Sequence, residues 1–156
     1  METLPKVDCY DVLKLENQLC FPLYACSKEV IRRYREPLEK LNLTYTQYIV
    51  MMTFWEFGDM TEGELGQQVH LDSGTLAPLL KRLEKQGLIT RTRMKENERK
   101  LFVSLTEEGR SLREKALSVP YQMSGCIDLP EDELRLLKTL LDKALDRMVN
   151  SHCFPD

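Results

Sequence analysis

The residues able to carry chemistry fall into two groups, the thiols and a run of cations. Five cysteines are present, Cys9, Cys20, Cys26, Cys126 and Cys153, beside only two histidines, His70 and His152. An odd thiol count without a Cys-x-x-Cys pair argues against a disulfide framework, and the shortage of histidine argues against a zinc site. The thiols are left as small buried hydrophobes or as redox groups. A redox thiol reacts as its thiolate, so something must stabilise the anion. Tyrosine hydroxyls can donate to it without blocking an oxidant. Cys20 and Tyr24 stand four residues apart, on one face if the segment is helical. Tyr34 lies 14 residues beyond Cys20, about 21 Å along a straight helix, too far to serve the thiol of its own chain.

The cations have their own pattern. Formal net charge over the 156 residues is −3, yet 81–100 holds eight basic residues, Lys81, Arg82, Lys85, Arg91, Arg93, Lys95, Arg99 and Lys100, against Glu84, Glu96 and Glu98. This excess of about five positive charges is the footprint expected for an anionic partner, provided the elements beneath it present one face.

Those elements are predicted from periodicity and caps. Leu19, Leu23, Cys26, Val30, Tyr34 and Leu38 recur at three and four, an apolar stripe that assigns Cys26 to the core. Pro22 sets the start of that helix near Cys20 or bends it there. Asn42 to Thr46 reads as a break, and Gln47 to Phe57 as a second helix closed at Gly58. Thr61 and Glu64 form a capping box for a short helix to about Val69. A turn over Leu71 to Gly74 follows. A helix capped by Ser73 or Gly74 then places Pro78 near its first turn and ends before Gly87. Leu88 to Met94 and Arg99 to Leu105 read as strands of a hairpin tipped by 95–98. Thr106 caps a helix to about Val119, and Pro130 with three acids opens the last one, striped by Leu134, Leu137, Leu141, Leu145 and Met148.

The order predicts a mainly α (α+β) chain: a winged helix-turn-helix with N- and C-terminal helices forming a dimerisation region. It is expected as one domain over 1–156, its core at about 44–105 and its dimerisation helices at 8–40 and 106–150. The second helix of such a module enters the major groove by its N-terminal end, here Ser73, Gly74 and Thr75. Lys81 and Arg82 follow on that helix, with Arg91, Arg93, Lys95 and Arg99 on the wing, where an arginine can enter a narrow minor groove. No apolar run is long enough to span a membrane, and Met1 to Asp11 lacks the features of a secretory signal, so the expected compartment is the cytoplasm. Neither a catalytic residue, a metal nor a cofactor is expected. A thiol peroxidase would call for a thioredoxin-like βαβ pattern that is not in the sequence.

Several segments resemble one family. Leu71-Asp72-Ser73-Gly74-Thr75-Leu76, the run from Pro78 to Glu84, Gly87 to Arg91, and Leu105-Thr106-Glu107-Glu108-Gly109 are similar to MarR-type regulators. Lys14 to Phe21, with Leu43-Thr44-Tyr45 and Gln47-Tyr48, resembles their organic hydroperoxide resistance (OhrR-like) branch. The resemblance implies a homodimeric repressor. It would bind a pseudo-palindromic DNA operator when reduced and release it when Cys20 is oxidised by an organic hydroperoxide. It further implies that Tyr34 and Tyr45, with Tyr24 nearby, hydrogen-bond the Cys20 thiolate, and that Cys126 is a candidate resolving cysteine. The alternative within the family is control by a small aromatic ligand. Cys9 and Cys153 are expected to be incidental.

Overall fold

The computed structural model describes residues 10–94 and 97–150; the side chains of 97–99 are outside that description. Cys9, Cys153, Lys95 and the Arg99 side chain therefore lie outside the described residues.

Two short 3-10 turns, Asp11–Leu13 and Leu15–Asn17, lead into helix α1, Cys20–Glu39. Pro22 is the third residue of α1, where a missing N–H forfeits no helical bond. The expected start near Cys20 is therefore what forms. Helix α2 spans Tyr45–Phe57, two residues earlier than its apolar run suggests. Thr44 Oγ1 accepts from the Gln47 amide at 3.3 Å, and Gln47 Oε1 accepts from the Thr44 amide at 2.8 Å, a capping box within the stretch read as a break. Gly58, at φ 80°, closes α2.

Strand β1, Met60–Thr61, runs into α3, Glu62–Val69, through the Thr61–Glu64 box. His70 ends α3 in the left-handed region, φ 53°. Helix α4 follows at Ser73–Lys85. Its cap is Asp72 rather than Ser73 or Gly74, with Asp72 Oδ1 accepting from the Thr75 amide at 2.9 Å. Pro78 consequently sits in the second turn. It is tolerated there on the exposed face, where only the Gly74 carbonyl loses a donor. At the far end, the amide of Leu88 donates to the Leu83 carbonyl (3.0 Å) and that of Gly87 to the Glu84 carbonyl (2.9 Å). With Gly87 at φ 75° this is the closing motif that glycine permits.

Strands β2, Ile89–Met94, and β3, Asn97–Leu105, form the hairpin, and β1 pairs with the other side of β3, giving the antiparallel order β1-β3-β2. Ile89 faces Leu105 and Arg91 faces Val103, with a register shift after Arg93. Helix α5, Glu107–Ala116, is capped by Thr106. The expected continuation to Val119 breaks after Ala116, and a new helix α6, Ser118–Met123, takes Pro120 in its first turn. Proline starts this helix instead of ending the previous one.

Up to Met123 the chain forms one unit, whose core is Leu38, Val50, Met51, Phe54, Leu65, Leu76, Leu80, Leu83, Ile89, Val103 and Val119, all within 2% of complete burial. A second unit begins at Ser124 and holds α7, Glu131–Asn150, which buries none of its residues and exposes Leu136, Leu137, Leu140, Leu141 and Leu145. Among the described residues no helix is long and apolar enough to cross a membrane. Leu80 lies at 0% exposure on the inner face of α4. Leu80→Ala should cost about 3 kcal/mol of stability, read as a lower urea midpoint at unchanged m value.

Candidate functional site

The exposed face of α4 begins with three small polar residues, Ser73, Gly74 and Thr75, which leave room for close approach. Gly74 is small for a local reason as well, because a Cβ there would meet Asp72 Oδ1 at 3.0 Å. The Thr75 hydroxyl also donates to Asp72 Oδ2 at 2.9 Å. The Thr75 amide and hydroxyl hold the Asp72 carboxyl below the usual carboxylate range. Thr75 is thus spoken for on its donor side and offers an acceptor. Lys81, Arg82 and Lys85 are exposed further along α4. Arg82 and Lys85 join Arg32 and Arg35 of α1 around an open groove of about 740 Å³. The basic residues of α4 therefore serve two surfaces, its tip and this groove.

The wing is fixed to α4 by one ion pair. Arg91 donates from its side chain to Glu84 Oε2, Nε at 3.0 Å and Nη2 at 2.6 Å, and its amide donates to Glu84 Oε1 at 3.2 Å. The guanidinium is 16% exposed and turned toward α4. Arg91 holds the Glu84 carboxyl below its ordinary range. Arg93 and Lys100, by contrast, are exposed on the hairpin.

A joint of main-chain and side-chain bonds ties this hairpin to α5. Thr106 Oγ1 donates to the Gly87 carbonyl at 2.6 Å, and the Thr106 amide to the Leu88 carbonyl at 3.1 Å. Gly109 has no room for a side chain, since a Cβ would stand 2.0 Å from the Leu88 carbonyl oxygen. Trp55 Nε1 of α2 donates to the Gly109 carbonyl at 2.9 Å, and Asp59 Oδ1 accepts from the Leu105 amide at 3.0 Å.

The thiols divide differently. Cys20 is exposed as the first residue of α1, a helix start with no side-chain cap. Tyr24, one turn on, is 60% exposed, and its hydroxyl accepts from Lys28 Nζ at 3.2 Å. Tyr34 packs against Tyr45 of α2 at 4.8 Å between ring centres, the rings tilted by 51°, and lies 6.1 Å from Tyr48. Tyr34 and Tyr45 therefore come together, while Cys20 stands about 21 Å from Tyr34 along the same helix. Burial pushes the Tyr45 hydroxyl up from its ordinary range. Cys126 is half-buried in the second unit. Cys26, expected in the core, is exposed, because among the described residues nothing covers the N-terminal half of the α1 stripe.

A family model described as the transcriptional regulator SarA/Rot matches residues 32–116. The organic hydroperoxide resistance transcriptional regulator of Bacillus subtilis (strain 168) is 47% identical over 139 residues, 89% of this chain and 95% of that protein. The chain belongs to the MarR family of DNA-binding transcriptional regulators, in the organic hydroperoxide resistance branch. Reduced AbfR bound to DNA superposes with a TM-score of 0.72 at 34% identity over 90% of this chain and 98% of AbfR, a protein also known in a disulfide-formed state. A mutant MarR from E. coli in complex with operator DNA shares the fold, with a TM-score of 0.76 at 24% identity over 88% of this chain and 99% of MarR.

In this MarR-family regulator the brace Glu84 escapes sequence reading, where it counts only as an acid diluting a basic run. The only signal is a lone carboxylate one residue before the helix ends, seven residues ahead of an arginine on the next strand. Because the Glu84 carboxyl is lowered by Arg91, the pair's contribution is complete above the ordinary carboxylate range and is lost as pH falls through the folded value. Glu84 is 37% exposed, so solvent screening limits that contribution to under about 1 kcal/mol. Glu84→Gln should flatten this part of the acid limb in urea titrations between neutral and acid pH, while the neutral-pH midpoint drops slightly.

Proposed function

We propose that the regulator is a homodimeric, redox-sensing repressor that binds a pseudo-palindromic operator when reduced and leaves it when Cys20 is oxidised by an organic hydroperoxide. The observation that carries the reading is the position of Cys20, exposed at the first residue of α1 and one turn from Tyr24, in a chain 47% identical to a hydroperoxide resistance regulator. A helix start without a side-chain cap favours negative charge developing on the sulfur through the helix dipole.

The thiolate sulfur attacks the terminal peroxide oxygen, the O–O bond breaks, and the alkoxide leaves and takes a proton to become the alcohol. The sulfur is then a sulfenic acid, which a second thiol converts to a disulfide with release of water. Cys126 of the second copy is proposed as that thiol, with a small cellular thiol as the other candidate. The disulfide-formed state of AbfR supports this end point. Tyr34 and Tyr45 are proposed to reach Cys20 across the dimer, since their packed pair stands too far along α1 to serve its own chain. A second copy would also cover the exposed stripes of α1 and α7, making 8–40 and 106–150 the dimerisation helices around the 44–105 core within a single domain.

On DNA, the tip of α4 with Ser73, Gly74 and Thr75 is assigned to the major groove, with Lys81 and Arg82 on flanking phosphates. Arg93, Lys95 and Arg99 are assigned to the wing, with Arg91 bracing it through Glu84. Half-sites about one helical turn apart follow from two-fold symmetry. Binding would take place in the cytoplasm, where thiols are kept reduced. The test is a mobility shift on duplex DNA from the region upstream of the protein's own gene, with and without one equivalent of cumene hydroperoxide. Wild type should release the duplex and Cys20→Ser should stay bound. Retention by both would hand the lead to control by a small aromatic ligand.

A further inference from the structure

Lys28 has an unusual position among the cations of α1. Glu29, the next residue, stands on a different face of the helix and pairs with Arg32, at 2.8 and 2.7 Å, and with Arg33 at 3.0 Å. Those two arginines hold the Glu29 carboxyl down to about 2, Arg32 contributing most. Among the described residues Lys28 has no carboxylate within ion-pair distance. Its ammonium instead lies 3.2 Å from the Tyr24 hydroxyl oxygen and 5.2 Å from the centre of the Tyr24 ring.

An ammonium has three donors and no acceptor, so in this contact Lys28 donates and the phenol oxygen accepts. The hydroxyl hydrogen of Tyr24 is then turned away from Lys28 and left for another acceptor. Side chains on a helix lean toward its N-terminus and cover the preceding turn. Lys28 shows this lean by reaching back to Tyr24. The residue one turn before Tyr24 is Cys20, so the three lie in order along one face of α1. A cation bonded to the phenol oxygen withdraws charge from it and makes its hydrogen a better donor. The contact between ammonium and ring also restricts the rotamers open to Tyr24.

We infer that Lys28 is a positioning residue of the thiol sensor, which holds the Tyr24 hydroxyl with its hydrogen directed toward the Cys20 sulfur and strengthens that donor. This rests on Cys20 being the sensing thiol. Lys28 touches neither peroxide nor sulfur and acts only through Tyr24. The charged groups nearest in sequence to this face are exposed Glu16 and the Asp11–Lys14 pair before the helix and the Glu29 cluster after Tyr24; Asp11 is paired with Lys14, and Glu29 with Arg32 and Arg33.

The test measures two rates in the reduced full-length protein. One is the loss of Cys20 thiol with cumene hydroperoxide. The other is alkylation of Cys20 by iodoacetamide across pH, followed by mass spectrometry of the Cys20 peptide. Cys26, on the same helix, reports from the same samples on any general loosening of α1, which would change its labelling relative to wild type. Lys28→Met should slow both Cys20 rates about three-fold at neutral pH, the size expected of an exposed charged hydrogen bond, and move the alkylation profile to higher pH. Cys26 should be unaffected, and Lys28→Arg should restore most of the rate. In a Tyr24→Phe background Lys28→Met should change nothing further. The inference is overturned if Lys28→Met matches wild type, if it slows Cys26 equally, or if its effect persists without the Tyr24 hydroxyl. Those outcomes leave Cys20 as the sensor. Peroxide-driven release of DNA by Cys20→Ser would instead remove the sensor reading, and the role of Lys28 with it.

Discussion

The bond from the Thr106 hydroxyl to the Gly87 carbonyl, 2.6 Å long, closes the joint on which the arrangement of α4, the wing and α5 depends. Gly87 is the residue that ends α4, so its carbonyl marks where that helix stops and the wing begins. Thr106 is at once the last residue before α5 and the cap of that helix, through its bond from the Gly109 amide at 3.0 Å. One side chain therefore sets the relation between α4, the base of the β2–β3 hairpin and α5. The close approach of Gly109 to the Leu88 carbonyl leaves no slack for a side chain, and Trp55 fastens the same turn to α2. With Glu84 and Arg91 bracing the other side of the hairpin, helix and wing form a rigid unit. The link between α5 and α4 is therefore made of hydrogen bonds and not of loose loops. In the proposed dimer, that joint would give the dimerisation helices a hold on the surface proposed to meet DNA.

The second constraint is apolar surface. In α1 burial is complete only near the C-terminal end, at Pro37 and Leu38, while Leu19, Phe21, Leu23 and Ile31 are exposed. In the other unit α7 exposes a leucine on nearly every turn. Exposed leucines in rows, unlike scattered ones, carry a cost that a second copy removes. The same dimer would bring a tyrosine pair to a thiol that cannot reach it within its own chain. A chain that needs its partner for burial would then need it for sensing too.

What can be read from the sequence is what local physics decides. The Thr61–Glu64 box, the glycine after α4, the hairpin and the stripe of α4 each follow from a few adjacent residues, and each forms where expected. Expectation and structure part where two local signals compete. Thr44 with Gln47 is as good a box as Thr61 with Glu64, but the aromatic, β-branched start of α2 hides it inside an apparent break. Pro120 reads equally as a stop or as a first-turn residue, and the break after Ala116 makes it the latter. Pro78 stands one or two residues deeper in α4 than expected because Asp72, not Ser73 or Gly74, supplies the cap. Beyond local range the sequence is silent. Nothing short of the fold pairs Glu84 with Arg91, packs Tyr34 against Tyr45, or leaves Cys26 uncovered on a stripe that looks like core. Lys28 is the instructive case, since its spacing from Tyr24 is readable but the bond from its ammonium to the Tyr24 hydroxyl is seen only in the fold.

The central claim, that the oxidation state of Cys20 decides occupancy of DNA, is tested most directly by titrating the operator-bound protein with substoichiometric cumene hydroperoxide. At each step the fraction of duplex released and the fraction of Cys20 oxidised are read from the same sample, the second by mass spectrometry. The account predicts that release rises with formation of a Cys20 disulfide and reverses on adding a thiol reductant. Release while Cys20 stays reduced, or full occupancy with Cys20 wholly in a disulfide, would contradict it.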